Sequence, residues 1–207
     1  MPTTTTNYAW TVPTSTDYVA QGATAIQTAV QGADTTLYTA LGGNYPGLRL
    51  IKSQAVGTGV ASVTVTSCFS STFVNYRVLY IGGVASASGG SLFARGAQGT
   101  GTAMVFSGDY VDLAGTRTGL GSTGTTFFTI GLTGASQMTC TFDMSQPFLA
   151  AQTGYASNGF AWGVGVGFNT RTGGTDTQTT SSTGLIIAPS SGTITGGTVY
   201  VYGYGAS

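Results

Sequence analysis

The 207-residue chain contains no histidine, and all six of its acidic residues are aspartates: Asp17, Asp34, Asp109, Asp112, Asp143 and Asp176. Without histidine, Ser–His–Asp triads, Cys–His dyads and zinc sites built on imidazole are excluded, and most hydrolytic machinery goes with them. Charge of either sign is scarce. Only 6% of residues are charged, where an ordinary globular domain carries about 25%. The six basic residues, Arg49, Lys52, Arg77, Arg95, Arg117 and Arg171, are scattered and balance the aspartates to zero net charge. Without a basic cluster, the chain is not expected to bind nucleic acid or an anionic membrane electrostatically. A near-neutral surface hydrated by Thr, Ser, Asn and Gln favours association over life as a free monomer.

Other absences narrow the field further. The opening MPTTTTNYAW has neither the basic start nor the apolar core of a secretory leader, which points to synthesis in a cytoplasm. The most apolar stretch, residues 159–168 (GFAWGVGVGF), is about half the length of a membrane-spanning helix. Abundant Gly and Tyr among alternating segments also fit an outer-membrane barrel. The missing leader and the polar Gly-Ala-Ser ending argue against one, and no membrane insertion is expected. No glycosylation sequon occurs. Glycine pairs such as Gly82-Gly83 and Gly89-Gly90 lack the Lys-Ser or Lys-Thr of a phosphate-binding loop. The two cysteines, Cys68 and Cys140, have no metal-binding or redox spacing. They read as buried free thiols, with a disulfide as the alternative.

One acidic pair is a candidate for chemistry. Asp109 and Asp112, in Gly-Asp-Tyr-Val-Asp, are weighed against glycosidic catalysis and calcium binding, and Asp176 against calcium alone. Two aspartates three apart on a strand or turn do not converge, so solvated loop residues are the preferred reading. No enzyme activity, catalytic residue, metal or cofactor is expected.

What is present divides into two parts. Residues 1–43 form an assembly or attachment segment, and residues 44–207 a glycine-rich β-domain. The Thr- and Pro-rich start reads as an extended arm carrying Trp10, an aromatic that needs a surface to bury against. From Thr16 or Asp17 to Leu41 there is no proline, and Val19, Ala23, Ile26, Val30, Ala33, Leu37 and Ala40 recur at alternating spacings of four and three. This heptad seam predicts one amphipathic helix of roughly 24 residues and about 36 Å, capped by Asp17 and stopped at Gly42-Gly43. Gly22 and Gly32 each cost about 1 kcal/mol relative to Ala, so the helix is marginal alone. Three partners stand open for it: its own domain, further copies in a bundle such as a homotrimer, or a larger assembly.

After the turn signal Asn44-Tyr-Pro-Gly47, short β-type runs alternate with clusters of Gly, Ser and Thr. Strands are expected near residues 48–56, 61–69, 73–82, 91–97, 102–107, 125–132, 137–144, 160–169, 184–188 and 198–204. About ten short strands without a helix among them predict a mainly β fold, an antiparallel β-sandwich of jelly-roll type preceded by the arm and helix. Within residues 161–168 glycine occupies every second position, so one face of that segment should lie against another backbone or a large aromatic. The eleven tyrosines, with Tyr200, Tyr202 and Tyr204 on the last strand, are many for a core in which every hydroxyl needs a partner. Trp10, Tyr155 and Trp162 are singled out as contacts for a partner subunit or a glycan.

Three segments resemble small virion proteins of tailed bacteriophages. They are residues 7–19 (NYAWTVPTSTDYV) with 22–26 (GATAI), residues 47–54 (GLRLIKSQ) with 62–66 (SVTVT), and residues 189–204 (PSSGTITGGTVYVYGY), similar to the closing hairpin of that group. The resemblance implies a structural protein of the virion, assembled in the bacterial cytoplasm, of tail-fibre, minor-tail or decoration type. The leading expectation is a tail-fibre or adhesion appendage, self-associating and bound to other virion proteins, whose sandwich meets a host surface glycan or receptor. The alternative is a capsid decoration or head-fibre protein seated on the major capsid lattice.

Overall fold

The computed structural model describes residues 3–4, 11–12, 19–37, 39, 47–98, 103–163 and 165–206. The chain divides into two compact units, Met1–Pro46 and Gly47–Ser207. Trp10, Asp17, Ala40 and Gly42-Gly43 lie outside the described residues.

In the first unit, β1 (Thr3–Thr4) pairs antiparallel with β2 (Thr11–Val12), and α1 (Val19–Leu37) contacts β2. Among the described residues, the helix has no acidic residue in its first turn and no basic residue in its last to complement its dipole. Its covered stripe consists of Gly22, Ala25, Ala29, Gly32 and Thr36, buried or half-buried at helical spacing. Three large residues of the heptad seam stay in solvent: Ile26 is 55% exposed, Val30 62% and Leu37 56%. Ala23 is exposed and Ala33 half-buried.

The second unit is the expected antiparallel sandwich. Its strands are β3 (Arg49–Ala55), β4 (Val63–Val65), β5 (Phe73–Ala85), β6 (Ser91–Gly96), β7 (Met104–Asp112), β8 (Arg117–Thr125), β9 (Phe128–Leu132), β10 (Gln137–Ser145), β11 (Thr153–Gly163), β12 (Val166–Asp176), β13 (Leu185–Pro189), β14 (Ile194–Thr195) and β15 (Thr198–Ala206). A nine-stranded sheet runs β3-β15-β5-β10-β11-β12-β7-β8, with β14 on one end of β5, and a four-stranded sheet runs β4-β13-β6-β9. With the β11–β12 hairpin and the flanking β3 and β15 set aside, β4-β13-β6-β9 faces β5-β10-β7-β8 as the chain passes back and forth between sheets. That connectivity is a jelly roll. The larger sheet is open, with β3 and β8 at its edges.

Period-two patterning explains which residues face inward. On β5, Tyr76, Val78 and Tyr80 are buried; on β10, Met138, Cys140, Phe142 and Met144; on β15, Val199 and Val201. The smaller sheet contributes Leu92, Ala94, Phe128, Ile130, Leu185 and Ile187. Each large apolar side chain so buried contributes about 1.5–3 kcal/mol. Cys68 and Cys140 are free and buried.

Two local expectations are corrected. Residues 160–169 are not one strand: β11 and β12 form a hairpin turning at Gly165, whose φ of 74° suits glycine. The alternation of glycines continues through the turn and disguises it. Residues 189–204 are not a hairpin either. β13 lies in the smaller sheet, β14 pairs with β5, and β15 is inserted between β3 and β5 in the larger one.

Candidate functional site on the outer face of the large sheet

The side chains that alternate with the core form the outer face of the nine-stranded sheet. Cross-strand register orders them in rows. One row runs Tyr202, Arg77, Asp143, Ala156; the next runs Tyr200, Leu79, Thr141, Asn158, Arg171, Asp109; a third runs Ile81, Thr139, Phe160, Asn169, Val111, Arg117. Residues more than one hundred positions apart in sequence thus share one surface.

Tyr200, Tyr202 and Tyr204 are half-buried here, because Val199, Val201 and Gly203 take the inner positions of β15. Beside them Arg77 binds Asp143 through two parallel hydrogen bonds, Nε to Oδ1 at 2.8 Å and Nη2 to Oδ2 at 2.7 Å. Asp143 holds the Arg77 guanidinium more firmly protonated than usual. Partial burial, with Asp143 nearby, raises the Tyr204 hydroxyl above its ordinary value.

Further along, a groove of about 670 Å³ opens over β11, β12, β7 and β8, a size in the range of small-molecule sites. Its floor includes Gly159 and Thr170; its walls carry Asn158, Asn169, Arg171, Asp109 and Arg117. Arg117, mostly exposed, bonds the mostly covered Asp109 carboxylate through Nε and Nη2. Arg171 lies opposite both Asp109 and Asn158 in the register. Among the described residues, its guanidinium has no ion pair or hydrogen bond. Two guanidiniums against one carboxylate leave the groove with one positive charge in excess.

Next to the groove, Trp162 and Phe160 project from alternate positions of β11, their ring centroids 6.4 Å apart and their planes inclined by 25°. The indole lies against Gly167 on β12, where an added Cβ would sit 2.8 Å from Cε3. This is the close aromatic that the glycine alternation predicts. One side of the ring is held on the backbone while the residue remains 39% exposed.

The other singled-out residues go elsewhere. Tyr155 is 5% exposed and faces inward, its ring stacked on Phe128 at 4.8 Å and 22°. Burial raises its hydroxyl pKa, and the stacked ring leaves no open face for a partner or sugar. Tyr155 is therefore a core residue. Asp109 and Asp112 do not converge: Asp109 is paired with Arg117, while the Asp112 carboxylate accepts the Thr116 N–H at 2.8 Å and closes the β7–β8 turn. Asp176 accepts the Gln178 N–H at 3.0 Å. The groove residues Asn158, Asn169 and Arg171 were not singled out from sequence. The signal available was the period-two set Asn158, Phe160, Trp162 on one side of a strand whose other side is Ser157, Gly159 and Ala161.

The sequence matches no protein-family model and no curated protein.

Proposed function

We propose that the chain is a non-enzymatic structural protein of a bacteriophage particle, an adhesion-type appendage in which residues 1–43 assemble or attach and the jelly roll turns its large sheet outward to the host. The observation that carries this reading is the division of labour between the two units. The helix keeps Ile26, Val30 and Leu37 in solvent, with Asp34 as the one exposed charge among its described residues, a stripe suited to a second copy or a virion protein. The sandwich completes its core by itself and still offers a broad face of aromatic and hydrogen-bonding side chains. The resemblance of residues 7–19 with 22–26, 47–54 with 62–66, and 189–204 to virion proteins of tailed phages is in keeping with the same reading.

Quantitative mass spectrometry of purified particles of the phage that encodes the chain tests it. A few oligomers per particle are expected for a tail appendage. Hundreds of copies would move the protein to the capsid lattice as a decoration protein, and absence from the particles would end the proposal.

A further inference from the structure

We propose that the groove over β11, β12, β7 and β8 binds a carboxylate-bearing saccharide: Arg171 takes the carboxylate, Asn158 and Asn169 the hydroxyls, and the Trp162–Phe160 pair a sugar face. The inference rests on the adhesion reading for its biological setting, and on the groove itself for its chemistry.

Charge is the first argument. In a chain with so few ions, Arg77 and Arg117 are already neutralised by Asp143 and Asp109. Arg171 stands in the same row as Asp109, yet among the described residues its guanidinium has no partner, at the mouth of a groove where Arg117 already neutralises Asp109. The planar fork of a guanidinium matches a carboxylate through two parallel N–H donors. A single unpaired cation is too little for a polyphosphate backbone, which demands several. It is enough for one acidic group.

The neighbours argue for a sugar. Asn158 flanks Arg171 on β11, and Asn169 lies two residues from it on the same face of β12. Both are exposed, and neither amide has a side-chain hydrogen bond among the described residues. Each offers a donor and an acceptor, the combination that a hydroxyl requires. Phe160 is the cross-strand neighbour of Asn169, and Trp162 continues that side of β11. The backbone at Gly167 holds the indole in place, so stacking costs little conformational entropy.

The test uses the full-length protein with two acidic probes, sialyllactose and trigalacturonic acid, each compared with its methyl ester by calorimetry. At least one acid should bind, and its ester at least about tenfold more weakly, the loss expected for a charged hydrogen bond. Arg171→Gln should remove the preference for the acid. Trp162→Ala should weaken acid and ester together, Arg171→Gln should melt at the wild-type temperature, and Trp162→Ala should keep a cooperative melting transition. Equal binding of acid and ester, an unchanged Arg171→Gln variant, or no binding of either probe would overturn the proposal. These outcomes are independent of copy number in the particle. A protein present in particles but blind to both probes loses the saccharide site and keeps the structural role; one that binds the acid but is absent from particles does the reverse.

Discussion

At the scale of single residues, burial decides what each polar group can do. The Cys68 and Cys140 thiols are pushed from 9.0 up to about 12, in each case chiefly by burial, and the Tyr80 hydroxyl from 10.0 to about 12 for the same reason. The native state therefore keeps protons that the unfolded chain releases above about pH 9. Stability is complete below that pH and falls as pH rises from about 9 towards 12. Melting temperatures at pH 7, 9 and 11 should be nearly constant across the first interval and drop across the second; a constant value to pH 11 would contradict this assignment. The same burial predicts that a thiol reagent such as DTNB labels neither cysteine in the native protein and both in denaturant. Tyr155 shows why residue type alone misleads. Its identity matches a sugar-binding aromatic as well as Trp162 does, and only the pleat decides between them: residue 155 points into the sandwich, residue 162 out of it.

At the scale of elements, β9 shows how a narrow sheet is fixed onto a wide one. The Ser157 hydroxyl donates to the carbonyl of Ile130, and the Thr172 hydroxyl to the carbonyl of Thr129, both at 2.5 Å. These bonds satisfy acceptors at the outer edge of the small sheet, where no further strand follows. Ser157→Ala and Thr172→Val should each cost about 1–3 kcal/mol in urea unfolding by leaving a buried carbonyl without a donor; a loss below about 0.3 kcal/mol would show that the staple is idle. In the helix, Ile26→Asp with Val30→Asp should dissociate the assembled protein while leaving the sandwich's melting transition unchanged. The strands differ in how plainly the sequence marks them. β10 alternates apolar and polar residues strictly, β15 alternates Val with Tyr, and β5 is a long run rich in Val, Tyr, Leu and Ile, so all three are readable directly. β8 (RTGLGSTGT) is an edge strand with Leu120 as its one large apolar residue, so its composition is that of a loop. The β11–β12 turn is hidden because glycine serves both the turn and the faces beside it.

At the scale of the whole molecule, the jelly roll follows from pairings that no local pattern encodes. β15 joins β5 and β3 across more than one hundred residues, and β12 meets β7 across some sixty. The class of fold is legible because it needs only many short strands, glycine-rich turns and no internal helix. The order of strands, and with it the meeting of Arg171, Asn158 and Asp109, is not, since it depends on long-range register. The exposed seam is legible as a period in the sequence. That Ile26, Val30 and Leu37 remain in solvent while a stripe of small residues is covered is information only the fold supplies.

Of the two roles proposed for residues 1–43, assembly and attachment, the central claim concerns assembly: they join copies of a sandwich that folds by itself. The most direct test is the mass of the full-length protein in solution by light scattering, beside a version comprising residues 44–207. The account predicts an oligomer, with a trimer expected, that falls to a folded monomer on truncation. A full-length monomer, or an oligomer that survives the truncation, would contradict it.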